Sequence, residues 1–439
     1  MARPAATSLA VLLALSSMAG LWRAGLDGPG SDFRNVWLVP RFVAQRAAPS
    51  LYSPEGRSLA AASFQAQATA PDAPSHLRLA TFYQALFPTG TPFFYTAFHW
   101  LLRGGYEFDY RLFQLLSLAA FAIGLLCIAR LVGLGWAPAL LALAALGETY
   151  EPALSDARVA NVNRLLVGGM ALSVWLRHGR AGPRSDFAEG TALGVLVAFK
   201  PVLAGGLLFT AGWRLWSRRG REAARELAGA GAGILMAALA SSFFFGTVRC
   251  WAEWAAQLGP TLRMPDWDVA NGNYAPSALL RELHAPAWPI PAAALLLLLG
   301  LVVVVGRTRH LAPPAGREAA AEDTLALSLG VAALCVVADL VWLHYFTLFG
   351  PAAIVLLRPR HGPLARRRAV LFAAAAALGI LLLSLSPAIR LLALTDARAY
   401  AALALSGAAV LTVAALLDLA SRRPDFTALS AAIAGGGPR

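Results

Sequence analysis

The chain has 439 residues, of which 58% are hydrophobic and only 14% charged, against about 25% charged in a soluble domain. Its net charge is +13, but the arginines fall in short clusters between apolar stretches of near-span length. That placement fits cytoplasmic anchoring loops, not the basic face of a nucleic-acid binder. The three cysteines, Cys127, Cys250 and Cys335, have neither the even count of a disulfide framework nor the close spacing of a zinc site.

Met1 to about Leu26 joins a basic start to an apolar run, Leu9 to Trp22. Ser17-Met-Ala19 is a small-x-small match to a cleavage site, yet it lies inside the run, so the stretch reads as a first membrane helix. Asp27 to His76 is a long polar insertion with amphipathic pieces such as Val36 to Ala47 and a turn signal at Tyr52-Ser-Pro-Glu-Gly56, which suits helices lying at the interface. Residues 77–103 are split by Pro88-Thr-Gly-Thr-Pro92 into two apolar halves, room for a short hairpin that dips in and returns. Residues 112–132 and 136–147 pair across an inside turn near Arg130, which leaves Gly104 to Arg111 and Glu148 to Asn163 outside. Residues 159–177 then lead inward to Arg177, Arg180 and Arg184.

The stretch 186–213 has basic flanks on both sides, the second being Arg214 to Arg225, yet is too short for two full spans. Pro201 lacks an N–H and disfavours helix at Lys200. Two short helices meeting at Lys200-Pro201 below the outer surface satisfy both facts, as broken helices do where they line a cavity. A single long kinked helix, with the Arg214 cluster outside, is the other reading. Residues 228–246 lead out, 247–287 form an outer loop and 288–306 lead back to Arg307, Arg309 and Arg317. Residues 322–341 lead out, Trp342 to Tyr345 turn outside, and 345–357 return to the Arg358 to Arg368 cluster. Residues 369–386 and 399–419 close the chain as a pair. The expectation is one all-α domain over 1–439, a polytopic transmembrane bundle of about 10–13 membrane segments, with outer loops at 27–76 and 247–287.

Five positions carry candidate chemistry. Asp32, just past the first helix, reads from spacing alone as a helix N-cap before Phe33, or as a general base acting on an alcohol. Lys200 is the sole lysine among 37 basic residues; buried in an apolar segment it needs an anionic partner such as a phosphate, unless it snorkels to the interface. Asn161 and Asn163 open a helix after an outer loop and either cap it or hold a polar substrate. His344, between Trp342 and Tyr345, belongs to an aromatic belt or to a site. The outer stretch Arg249 to His284 mixes Trp251, Trp254, Trp267, Asn271, Asn273, Tyr274 and Ser277, which suits sugar rings and lipid headgroups alike. The basic-loop topology brings Asp32, Asn161, Asn163, Lys200, Asn273 and His344 to one side of the membrane, as an embedded active site requires.

At these residues the chain resembles the GT-C superfamily of membrane glycosyltransferases, and most of all glycosyltransferase family 87, the polyprenyl-phosphate-sugar-dependent mannosyl- and arabinosyltransferase-like proteins. The resemblance runs from about Asp32 to Pro351. It rests on Asp32 followed by Leu51-Tyr52, on Ala160-Asn-Val-Asn163 in place of Gly-Gln-x-Asn, and on Lys200-Pro201. It rests further on Asn273 with Ser277, and on Trp342-Leu-His344. Asn161 replaces the family's Gln, Asp339 and Val341 replace a Pro and a Ser, and Tyr345 replaces a second His.

The resemblance implies a hexosyl transfer, with mannose first and a pentose second, from a polyprenyl-phosphate donor to a glycolipid, cell-wall glycan or protein. In that scheme Asp32 is the base, Lys200 and His344 hold the donor phosphate, and Asn161, Asn163, Asn273, Ser277, Trp342 and Tyr345 bind substrate. No cofactor or metal is implied, and the site faces the periplasm or exterior of the plasma membrane. A transporter or flippase for a lipid-linked or anionic solute, or a non-catalytic binder of lipid-linked sugar, shares the broken helices and the buried lysine.

Overall fold

The computed structural model describes residues 2–45, 50–83, 88–179, 183–262, 268–286, 315–360, 363–391 and 396–420. The expected span 288–306, and Trp267, lie outside them. The described residues are helical and the chain is a multi-pass membrane protein: with no water in the hydrocarbon core, a helix satisfies its own backbone polar groups. The order is α1 (Ala2–Asp27), α2 (Ser31–Ala44), α3 (Pro54–Thr69), α4 (Ser75–Tyr83), α5 (Pro92–Leu101), α6 (Tyr106–Leu131), α7 (Trp136–Glu148), α8 (Glu151–Val159) and α9 (Asn163–His178). There follow α10 (Pro183–Phe199), α11 (Ala204–Trp216), α12 (Gly220–Phe245), α13 (Cys250–Leu262), α14 (Pro276–Glu282), α15 (Arg317–Val337), α16 (Gly350–Leu356), α17 (Pro363–Leu391) and α18 (Ala397–Ala420).

Among the described residues six helices are long and apolar enough to cross a membrane: α1, α6, α12, α15, α17 and α18. Helices α8 and α9 together make a seventh candidate, bent by 117° at their junction. The remaining apolar helices, α7 and the run Leu343–Leu356, are shorter.

Lys200-Pro201 divides its segment as the two-helix reading requires. Helix α10 stops at Phe199, Lys200 is extended (φ −145°, ψ 107°), Pro201–Leu203 make one 3-10 turn, and α11 follows. The carbonyls released at the break are taken up from outside the segment: the Thr91 hydroxyl donates to the carbonyls of Ala198 (2.6 Å) and Phe199 (3.3 Å). The far ends of α10 and α11 meet again, where Arg214 at the end of α11 pairs with Glu189 near the start of α10 at 2.8 Å. That contact excludes the long kinked helix. The two arms, about 25 and 20 Å long at 1.5 Å per residue, form a hairpin with Lys200 at its tip.

Small residues let the hairpin pack. A Cβ on Gly190 or Gly194 would lie 2.0 Å and 2.2 Å from the carbonyls of Glu226 and Ala230 on α12, and one on Gly229 or Gly233 would meet the carbonyls of Phe187 and Thr191 as closely. Backbone contact through spaced small residues is how helices associate where burial from water offers no drive.

The bundle has two chemically distinct ends. At one, Arg177 pairs with Asp186 (2.8 Å) and Asp323 (2.8 Å), Arg214 with Glu189 and Glu226, and Arg219 with Glu322; Arg358 and Arg360 both reach Asp418. At the other lie Asp32, Lys200 and the turn at His344. The two halves of the expected short hairpin over 77–103 fall on α4 and α5, with residues 84–87 between them outside the described residues. The two helices have 9 and 10 residues, and α5 runs beside the Lys200 end, with Thr91 on the break and the His99 ring 4.5 Å from Phe244 near the end of α12. The Pro88-to-Pro92 loop serves as a brace for the broken segment.

Candidate functional site

The junction of α8 and α9 organises the site. Ala160 ends α8 in the left-handed conformation (φ 55°, ψ 51°), a place that suits glycine. The chain then turns sharply into α9, whose first N–H groups need acceptors. Asp156 supplies them, accepting from the N–H of Asn163 (3.1 Å) and Arg164 (3.3 Å) and from the Arg164 guanidinium (2.9 Å). Arg164, fully buried, also donates to Gln114 Oε1 at 2.7 Å. Since Asp156 caps α9, the side chain of Asn163 is released for other work, while Asn161 Oδ1 also accepts from the Val162 N–H at 2.7 Å.

Those two amides meet Lys200. Its ammonium donates to Asn161 Oδ1 at 2.9 Å and Asn163 Oδ1 at 2.8 Å, and lies 4.4 Å from the centre of the Tyr345 ring. Asn163 is wholly buried, and its Nδ2 donates to the His344 carbonyl at 3.0 Å. The hydroxyl of Tyr150 reaches the Phe346 carbonyl, so the 3-10 turn Leu343–Phe349 is fastened to α8 and α9 at two points. His344 is buried, and its Nε2 has no hydrogen-bond partner among the described residues.

Asp32 completes the cluster. The helix-cap reading is corrected by the geometry: Gly30 occupies the cap position (φ 59°) with no side-chain cap bond, and Asp32 lies in the first turn of α2. Its carboxylate accepts from Asn161 Nδ2. It is delivered there because the Gly30 N–H donates to the Arg158 carbonyl at 2.9 Å, which pins the start of α2 to the end of α8. Burial pushes the Asp32 carboxyl above its ordinary pKa, while the Asn161 bond and the charges of Lys200 and Arg34 pull it back. Asp32, Asn161, Lys200 and Tyr345 keep partial exposure, so the cluster opens to its surroundings.

The segment around Asn273 contributes differently. Asn273 spends its amide on backbone, donating to the Asp339 carbonyl (2.9 Å) and accepting from the N–H of Ala275 (2.9 Å) and Val341 (3.0 Å). It thereby holds Trp342, whose ring stacks at 6.4 Å on His344. Ser277 stands in the first turn of α14, which packs on α15 and α18, and its hydroxyl has no partner among the described residues. Asp156, Arg164 and Gln114 support the site from beneath; an arginine inside an apolar segment is the sequence signal that marks such a group. Tyr95, close enough to Asp32 to feel its charge, had no such signal. Among the described residues no three His, Cys, Asp or Glu side chains converge as a metal site.

Residues 86–338, more than half of the chain, match the family model of glycosyltransferase family 87. The chain belongs to glycosyltransferase family 87. Neither the curated proteins nor the solved structures yield a match. The family match takes in Asn161, Asn163, Lys200, Asn273 and Ser277; Asp32, Trp342, His344 and Tyr345 fall beyond it, and Asp32, His344 and Tyr345 join through the contacts just described. The glycosyltransferase therefore presents a carboxylate and an ammonium joined through one amide, at the tip of a broken helix pair.

Proposed function

We propose that this glycosyltransferase moves a sugar from a polyprenyl-phosphate carrier to a hydroxyl of a glycolipid, cell-wall glycan or protein acceptor, on the outer face of the plasma membrane. The observation that carries the reading is the shared contact of Asp32 and Lys200 with Asn161. A base and a cation bonded to the same amide suit displacement at an anomeric carbon. The Asp32 carboxylate takes the proton of the acceptor hydroxyl as that oxygen bonds to C1. The C1–O bond to the phosphate breaks, the electron pair leaves on the phosphate, and the ammonium of Lys200 meets the charge, with His344 Nε2 as a second contact. Attack opposite the leaving phosphate inverts the anomeric centre.

The side assignment rests on charge: the buried and surface arginines at the ends of α9, α11 and α15 mark the cytoplasmic face, and the site lies at the other end. Mannose is the first sugar in this scheme and a pentose the second. The test is sugar transfer by the purified chain in proteoliposomes offered polyprenyl-phosphate-mannose, polyprenyl-phosphate-arabinose or the corresponding nucleotide sugars. Transfer from a lipid carrier alone, with an inverted product, is expected. Use of nucleotide sugars without carrier, or retention of configuration, would overturn the scheme.

A further inference from the structure

Away from Lys200, the two outer insertions enclose a second concavity. Helix α3 and the residues before it face α13 across a groove of about 370 Å³ lined by Ser50, Tyr52, Arg57, Glu253, Ala256 and Gln257, among others. The Ser50 hydroxyl donates to the Glu253 carboxylate, and Arg57 reaches Gln257 Oε1 at 3.4 Å. This volume falls in the range of small-ligand sites.

The groove is tied to the Asp32 site through one loop. Gln257 donates to the Pro88 carbonyl (2.8 Å), Trp254 to that of Thr89 (3.1 Å) and the Tyr52 hydroxyl to that of Gly90 (3.1 Å). On the opposite side of the same loop, the Gly90 N–H donates to the Tyr95 hydroxyl (3.2 Å), and Thr91 holds the Ala198 carbonyl two residues before Lys200. The groove wall and the reaction site are thus two faces of the Pro88–Thr91 segment.

Its chemistry differs from that of the Lys200 cleft. One guanidinium and one carboxylate leave the lining without net charge, so a phosphate gains no unopposed cation there. The groove's accessible lining is mostly apolar, Pro54 and Ala256 included, and is edged by the Arg57 guanidinium and the Glu253 carboxylate; an apolar floor with one donor group and one acceptor group at its edge suits the C–H face and vicinal hydroxyls of a sugar. We infer that this groove binds an uncharged saccharide, the distal units of the acceptor glycan, and so holds the acceptor while its terminal hydroxyl reaches Asp32. The inference rests on the transferase reading proposed above, but its test does not require turnover.

The full chain carrying Asp32→Asn, in lipid nanodiscs, is titrated with neutral trisaccharides of mannose, arabinose and glucose, and binding is read by saturation-transfer NMR. At least one trisaccharide binds. Ala256→Trp, which fills the groove from an exposed position and leaves the bonds of Trp254 and Gln257 to the loop intact, weakens it at least tenfold, as does Arg57→Ala. Lys200→Met leaves it within about twofold. No binding by any of the three sugars, unchanged binding in A256W and R57A, or preferential binding of glycerol phosphate overturns the inference. Transfer surviving in the Asp32→Asn protein would instead remove the base from the scheme and leave the groove result standing.

Discussion

Replacing Lys200 by Met keeps the length of the side chain and removes its charge. The folded protein loses two charge-assisted hydrogen bonds, to Asn161 at 2.9 Å and Asn163 at 2.8 Å, and the contact with the Tyr345 ring at 4.4 Å. Each such bond is worth about 1.5–3 kcal/mol and the ring contact about 0.5–2. Against this, the variant no longer buries an ammonium, a cost of about 2.5–3.5 kcal/mol on insertion scales. The balance lies between about zero and 5.5 kcal/mol, and Lys200→Met is expected still to insert and fold. Ligand binding is another matter. An ammonium has three N–H donors; two serve the asparagines, and among the described residues the third finds only the ring face, which leaves it for a phosphate. Losing that contact costs about 2–4 kcal/mol, roughly 30- to 1000-fold in affinity. The assay compares polyprenyl phosphate with the uncharged polyprenol in nanodiscs: wild type prefers the phosphate, and K200M loses the preference. A K200M protein that binds polyprenyl phosphate within about threefold of wild type would refute the reasoning. Arg at this position does not restore it, because the planar fork cannot direct single donors to both asparagines.

Three further outcomes are expected. Asp32 works as a base only when ionised, so kcat/KM falls as pH falls through its pKa; since burial raises that pKa, the fall begins above the ordinary aspartate value of about 3.9, and a profile flat down to that value contradicts the assignment. Arg214→Met strands Glu226 inside the bundle and leaves Glu189 and Asp323 to Arg177, which costs about 3–5 kcal/mol, seen as a lower melting temperature with donor affinity unchanged in the protein that folds. In a background without native cysteines, Asp339→Cys reacts with an impermeant thiol label from outside and Arg221→Cys only from inside; the reverse pattern inverts the topology.

What the sequence disclosed and what it hid divide along physical lines. The break at Lys200-Pro201 was legible because proline removes a donor and both flanks are basic, two local facts. The all-helical membrane fold followed from composition and span-length apolar runs. The partners of the polar groups were not legible, because they are set by contacts between residues far apart in the chain. Asp32 looked like a cap because nothing local says that Gly30 takes that position. Asn161 and Asn163 looked like caps because nothing local says that Asp156 folds back to do the capping. Asn273 looked like a ligand for substrate and instead fastens the Asp339-to-Val341 backbone that carries Trp342. The two halves of 77–103 were legible as short apolar pieces, but not that the second, α5, packs on α10 while the first, α4, packs on α2 and α3.

In the proposed scheme Asp32 takes the acceptor proton while its neighbours Lys200 and His344 hold the donor phosphate, and one paired measurement separates the two roles. Sugar transfer and donor affinity are determined on the same preparation of Asp32→Asn protein. The account predicts transfer lowered by at least 10²–10⁴-fold with polyprenyl-phosphate-sugar bound as in wild type. Transfer at the wild-type rate, or donor binding lost along with activity, would contradict it.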